Sequence, residues 1–166
     1  MKTEFKVIDI TKHFDICVEA RKDSHFCSFE TTHGFSDFLD GYRERMSDRI
    51  TTSEWYYVHV WVDDEIAGQL EFRNSYSEPK TGYIHLFYLW PEFRGTGLAQ
   101  TVHEYVCDTL LNDGCQRAVL SVSRSNSRAL NYYKKHGWQY WKRNPKRDST
   151  DYYELELKTD TRLEKQ

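Results

Sequence analysis

At 166 residues, with 39% hydrophobic and 16% aromatic content, the chain suits one domain with an ordinary core. Its 23 Lys and Arg against 26 Asp and Glu leave a formal net charge of -3, which argues against the basic excess of a non-specific nucleic-acid binder. Four cysteines (Cys17, Cys27, Cys107 and Cys115) include no CxxC pair, so reduced thiols are expected rather than a disulfide framework or a metal site.

In chain order, the N-terminus mixes Lys, Glu and Asp with isolated apolar residues, unlike a secretory leader. Phe5, Val7, Ile8 and Ile10 favour a first strand through their β-branched content. Thr11 can cap a helix that carries Phe14, Cys17 and Val18 on one face. Past Gly34, the recurrence of Phe35, Phe38, Leu39, Tyr42 and Met46 predicts a second helix. Val58, Val60 and Val62 alternate with Tyr57, His59 and Trp61. Asp63-Asp64 then marks a hairpin turn, and residues 66–72 return as a strand. A polar loop holding Pro79 precedes a strong strand over residues 82–90, ended by Pro91.

A helix over residues 97–111 carries Leu98, Val102, Tyr105, Val106 and Leu110 as its apolar stripe and stops at Asn112-Asp113-Gly114. Residues 118–122 predict a short strand, residues 126–136 a helix closed by Gly137, and residues 138–141 with 152–157 a last strand pair. The stretch after Lys158 reads as a polar, frayed tail. No apolar run approaches a membrane span, so a cytoplasmic location with no membrane partner is expected. The order of elements fits an α/β (α+β) fold, a mixed sheet with helices on both faces.

The most informative segment is Leu89-Trp90-Pro91-Glu92-Phe93-Arg94-Gly95-Thr96-Gly97-Leu98-Ala99. It joins a strand, a Gly-rich turn and a helix start. Glycines let the backbone turn tightly and approach a ligand, and the amides at a helix N-terminus suit an anion such as pyrophosphate. Alone, the segment reads as a tight turn without a ligand, because it is neither GxGxxG nor a P-loop.

A second segment makes the pattern specific. Arg94-x-x-Gly97-x-Ala99, with Leu89-Trp90-Pro91-Glu92 before it, resembles the acetyl-CoA pyrophosphate loop of the GNAT superfamily of N-acetyltransferases. The run from Asn126-Ser127-Arg128-Ala129 through Tyr132-Tyr133 to Gly137-Trp138 resembles the same superfamily's Asn-x-x-Ala...Tyr...Gly-Phe block, with Trp138 where Phe is usual. The blocks stand in the family order, and the element order matches over residues 3–158.

The resemblance implies one acetyltransferase domain over residues 1–166, with a mostly antiparallel sheet of about seven strands. It also implies acetyl-CoA as co-substrate without a metal. The acetyl group would pass to a primary amine of a small molecule, peptide or protein by direct attack in a ternary complex. Arg94, Gly95, Thr96, Gly97, Leu98 and Ala99 would wrap the pyrophosphate with backbone amides. Tyr88 and Leu89 would bond the pantetheine through their main chain, and Asn126 would reach the cofactor from the start of its helix. Tyr133 would contact the cofactor near the thioester sulfur and act as general acid. Such a reaction needs a base, an oxyanion donor and an acid for the leaving thiolate, and it needs no covalent enzyme intermediate.

His85, four residues before Leu89, resembles a base position of the arylalkylamine acetyltransferases, although Tyr83 stands where that branch has a second His. A hydrogen-bonded sheet histidine is the competing reading, and Glu71 or a water remains open as the base. Glu92 reads as a solvated turn residue. Tyr132 reads as packing, and His13, His25, His33, His59, His103 and His136 as structural or surface residues. Trp138, Trp141, Lys142, Arg143, Lys146 and Arg147 could suggest nucleic-acid contact, but a solvated hairpin with aromatic core residues is preferred, and no nucleic-acid partner is expected. A catalytically silent acetyl-CoA-binding regulatory protein is the alternative function. The acceptor-binding regions implied by the resemblance, residues 26–52 and 144–151, hold no readable motif, and a homodimer stays open.

Overall fold

The computed structural model describes residues 1–158, so the tail after Lys158 lies outside the described residues. Its elements are β1 (Thr3–Val7), α1 (Ile10–Phe29), α2 (Phe35–Leu39), α3 (Tyr42–Arg49), β2 (Trp55–Val62), β3 (Glu65–Arg73) and β4 (Thr81–Leu89). A short 3-10 turn (Pro91–Phe93) leads to α4 (Leu98–Asn112), β5 (Arg117–Ser123), α5 (Ser127–Lys135), β6 (Gln139–Arg143) and β7 (Thr150–Glu156). The seven strands form one mixed sheet in the order β1-β2-β3-β4-β5-β7-β6. Strand β4 pairs parallel with β5, while β1 with β2, β5 with β7 and β6 with β7 pair antiparallel. Among the described residues no helix is long and apolar enough to cross a membrane.

The described chain forms two compact units, one of Met1–Phe72 and His85–Ala99, the other of Arg73–Ile84 and the described residues from Gln100 onward. In the first, Ile8, Cys17, Tyr42, Met46 and Tyr57 form a buried cluster to which Phe14, Val18, Phe38 and Trp55 add partly buried area. A smaller cluster joins Ala20, Leu86 and Tyr88 with Trp90. In the second unit, Val102, Val106 and Leu110 of α4 and Ala118, Val119 and Leu120 of β5 are buried. The predicted stripe of α4 is thus its buried face, as a period near 3.6 requires.

Most boundaries shift by one or two residues from expectation, and two of the differences have a clear hydrogen-bond cause. Asp9 rather than Thr11 caps α1, its carboxylate accepting from the Lys12 amide at 3.2 Å, so β1 stops at Val7. The single helix expected after Gly34 is two, because Asp40 is extended (ψ 118°). The carbonyls freed at this break accept from Arg45, whose guanidinium reaches Asp40 and Phe38 oxygens at 2.7 Å each. Apolar spacing runs through the break unchanged, and it carries no trace of that arginine.

Candidate active site

In the first unit, the end of β4 runs into a turn in which Gly95 and Gly97 have φ of +75° and +88°. A Cβ at Gly97 would meet nothing within 4 Å, so it is the backbone angle that calls for glycine, and the space beside it is open. Helix α4 begins at Leu98. The N–H groups of its first turn have no partner inside the helix, and the helix dipole adds partial positive charge there. Thr96 ties the turn together, its hydroxyl donating to the Phe93 carbonyl at 2.8 Å.

The Arg94 side chain folds back instead of reaching outward. Its Nε donates to the Leu89 carbonyl at 2.9 Å, and its guanidinium lies 3.6 Å from the Asp23 carboxylate and 5.5 Å from the centre of the Tyr88 ring. Asp23 also accepts from the Tyr88 hydroxyl. Burial and that carboxylate raise the Tyr88 phenol above its ordinary pKa. Arg94 therefore braces the strand end, and its own amide, expected to face the pyrophosphate, instead donates to the Pro91 carbonyl at 3.2 Å.

Gly68 of β3 supports the same strand end, since a Cβ there would stand 2.6 Å from the Tyr88 carbonyl oxygen and 2.7 Å from a Leu89 methyl. Sequence reasoning missed Gly68. Its signal was a glycine inside a strand pattern, which marks a close backbone approach.

His85 is exposed on β4, its ring 4.8 Å from that of Trp55 with the planes 34° apart. Glu71 is not available as a base. It is 1% exposed and accepts from Arg21 at 2.5 Å, from the Tyr42 hydroxyl at 2.6 Å and from the Gln69 amide at 2.9 Å. It is the counter-ion of a partly buried arginine, 18% exposed. Gln69 extends the network, its oxygen 2.9 Å from His59 Nε2, and Cys17 Sγ lies 3.7 Å from the same nitrogen.

The second unit holds Asn126 and Tyr133. Asn126 caps α5, its side-chain oxygen accepting from the Ala129 amide at 3.2 Å. Tyr133 is partly buried, with its ring 5.7 Å from Trp138 and 5.6 Å from Tyr132. The Trp138 amide donates to the Tyr133 carbonyl at 3.0 Å. Burial, and secondarily the neighbouring Tyr132 phenol, raise the Tyr133 pKa well above its ordinary value. At neutral pH the phenol carries its proton, as an unperturbed phenol also would.

Trp138 is 2% exposed, and its indole N–H donates to His103 Nε2 at 2.9 Å. That nitrogen must be unprotonated to accept. Burial, with His136 as the smaller cause, pushes the His103 pKa down to about 4. Nothing in the spacing of the chain links His103 to Trp138; the contact exists only once α4 and the segment after α5 are folded. Elsewhere in this unit, the Trp141 ring is occupied by Arg117 and Lys142, each 4.2 Å from its centre, and Arg143 pairs with Asp148. Among the described residues no group of three or more His, Cys, Asp or Glu could hold a metal ion.

The chain matches the acetyltransferase (GNAT) family over residues 18–138. It is similar to N-alpha-acetyltransferase 30 of Schizosaccharomyces pombe, 28% identical over 98 residues that make up 53% of this chain and 65% of that protein. It is also similar to thialysine N-epsilon-acetyltransferase of Bos taurus, 37% identical over 67 residues, 39% of each chain. The chain thus spans less than two thirds of either relative. In fold it is similar to the PaiA N-acetyltransferase of Thermoplasma acidophilum, solved with coenzyme A, with a TM-score of 0.74 at 18% identity over 94% of this chain and 99% of that one.

Proposed function

Because the chain belongs to the acetyltransferase (GNAT) family, we propose that it transfers the acetyl group of acetyl-CoA to a primary amine by direct attack within a ternary complex. The observation that carries the reading is the turn at Gly95 and Gly97. Its positive φ angles and the open space at Gly97 lead straight into the free amides of α4, a fit for a pyrophosphate. When bound, acetyl-CoA supplies the thioester carbonyl that the amine attacks.

Each residue has a part in this reading. Gly95, Thr96, Gly97, Leu98 and Ala99 hold the pyrophosphate through their amides, and Arg94 keeps the strand end in shape for them. Tyr88 and Leu89 hold the pantetheine arm through their main chain. Asn126 caps α5, and its amide nitrogen stays available to the cofactor. Tyr133 gives its proton to the departing thiolate, a role supported by its place in the block from Asn126 to Trp138 and by a phenol that is protonated at neutral pH. His85 takes the amine's proton directly or through a water, a role supported by its exposure and by the engagement of its rival Glu71.

The test is calorimetry with acetyl-CoA in the presence of EDTA, followed by thiol release with a panel of amines. Binding without metal and amine-dependent thiol release are expected. Absence of binding would overturn the proposal. Binding with no thiol release from any amine would make the protein a silent acetyl-CoA-binding regulator instead.

A further inference from the structure

Two arginines of α1 and α3 have strong oxygen partners within the first unit, although the Arg21 Nε is buried without one. Arg21 is paired with Glu71, and Arg45 donates to the Asp40 and Phe38 carbonyls. Arg49 differs. It closes α3, and its guanidinium lies over the Trp55 ring, 4.1 Å from the centre. Among the described residues its hydrogen bonding is limited to a long contact of 3.4 Å to the Tyr57 hydroxyl, and no carboxylate pairs with it. The buried carboxylate of this unit, Glu71, is already shared by Arg21, Tyr42 and Gln69. A cation in the last turn of a helix answers the helix dipole. That role does not require the guanidinium to lie on an indole with most of its five donors unused.

The same indole carries His85. The His85 and Trp55 rings are 4.8 Å apart, and Tyr57 stacks on Trp55 at 5.8 Å. One indole therefore touches both an exposed imidazole and a partly buried planar cation that lacks a counter-ion. A guanidinium is weakly hydrated and presents paired donors that match the two oxygens of a carboxylate. A substrate whose carboxylate filled this seat would lie beside Trp55, the indole that also carries His85.

We propose that Arg49 binds a carboxylate of the acceptor, so that the substrate is a primary amine that also carries a carboxylate, an amino acid or the C-terminus of a short peptide. The inference rests on the acetyl-transfer reading and on His85 marking the acceptor side. Arg49 supplies charge-assisted hydrogen bonds, Trp55 fixes the guanidinium plane, and the amine end is left to His85.

The experiment compares amines that differ only in the carboxylate, by kcat/KM for thiol release corrected to the neutral amine. The pairs are β-alanine against ethylamine, lysine against cadaverine, and alanyl-alanine against its C-terminal amide. The native protein should prefer the carboxylate member of at least one pair by about tenfold or more, the scale of a charge-assisted hydrogen bond. A preference in the first two pairs marks a free amino acid, and one in the third marks a peptide end.

Arg49→Met should bring that ratio close to one, and Arg49→Lys should restore part of it. Acetyl-CoA affinity, measured on each variant, reports whether the fold survives. Equal or better use of the amines without a carboxylate, or a carboxylate preference that persists in Arg49→Met, overturns the inference while leaving acetyl transfer intact. Absence of thiol release from every amine overturns acetyl transfer itself, and this inference with it.

Discussion

Tyr133 and Glu71 show how differently single residues can be read. The block from Asn126 to Trp138 singles out Tyr133 from Tyr132, whereas in the structure both rings are partly buried and both phenols have raised pKa values, so the choice rests on the block. Tyr133→Phe should lower kcat on the order of 100-fold while acetyl-CoA affinity barely moves, because only the proton donor is removed. Steady-state kinetics beside calorimetry checks this, and an unchanged kcat would make Tyr133 a packing residue. Glu71 could not be judged in advance, since its alternation along β3 does not disclose that Arg21, twenty residues into the chain, arrives from α1 to neutralise it. His103 has the structural role expected of it, but its partner could not be named for the same reason. Its partner Trp138 lies 35 residues away, and a hydrogen bond between side chains leaves no periodic trace.

At the level of elements, strands and long helices were legible because burial imposes a period, and α4 follows its stripe from Leu98 to Leu110. Ends and breaks depend on individual hydrogen bonds, which is why the Asp9 cap and the interruption at Asp40 were missed. The turn before α4 was legible because positive φ requires glycine, and Gly95 and Gly97 stand where it is required. Gly97→Val should therefore abolish acetyl-CoA binding. A β-branched residue at φ +88° is strained, and its methyls would occupy the open space beside the turn. Calorimetry with circular dichroism on the same sample checks it. A folded variant with native affinity would move the cofactor site elsewhere.

For the molecule as a whole, titration of buried groups links the fold to pH. Burial lowers the His103 pKa to about 4, and burial also lowers that of His59. In the unfolded chain both titrate near the ordinary value of about 6.5, so from there down to each folded-state value, about 4 for His103, the unfolded state binds more protons than the folded one. Stability from these groups is fully present above about pH 6.5 and falls as pH drops through that window. Melting temperatures followed by calorimetry should be level near neutrality and decline on acidification. A curve that stays flat from about pH 7 to about pH 4 would show that neither imidazole is held neutral.

The largely buried Arg21–Glu71 pair also limits how this sequence can change by descent. Losing either charge alone leaves the other stranded in the interior, a larger penalty than losing both to apolar residues of similar volume. Tyr42 and Gln69, which share the Glu71 carboxylate, are drawn into the same constraint. Inherited variation at positions 21 and 71 should therefore come as coordinated replacement, with single-step intermediates removed by selection, while the exposed faces of α1 and α3 diverge freely around them.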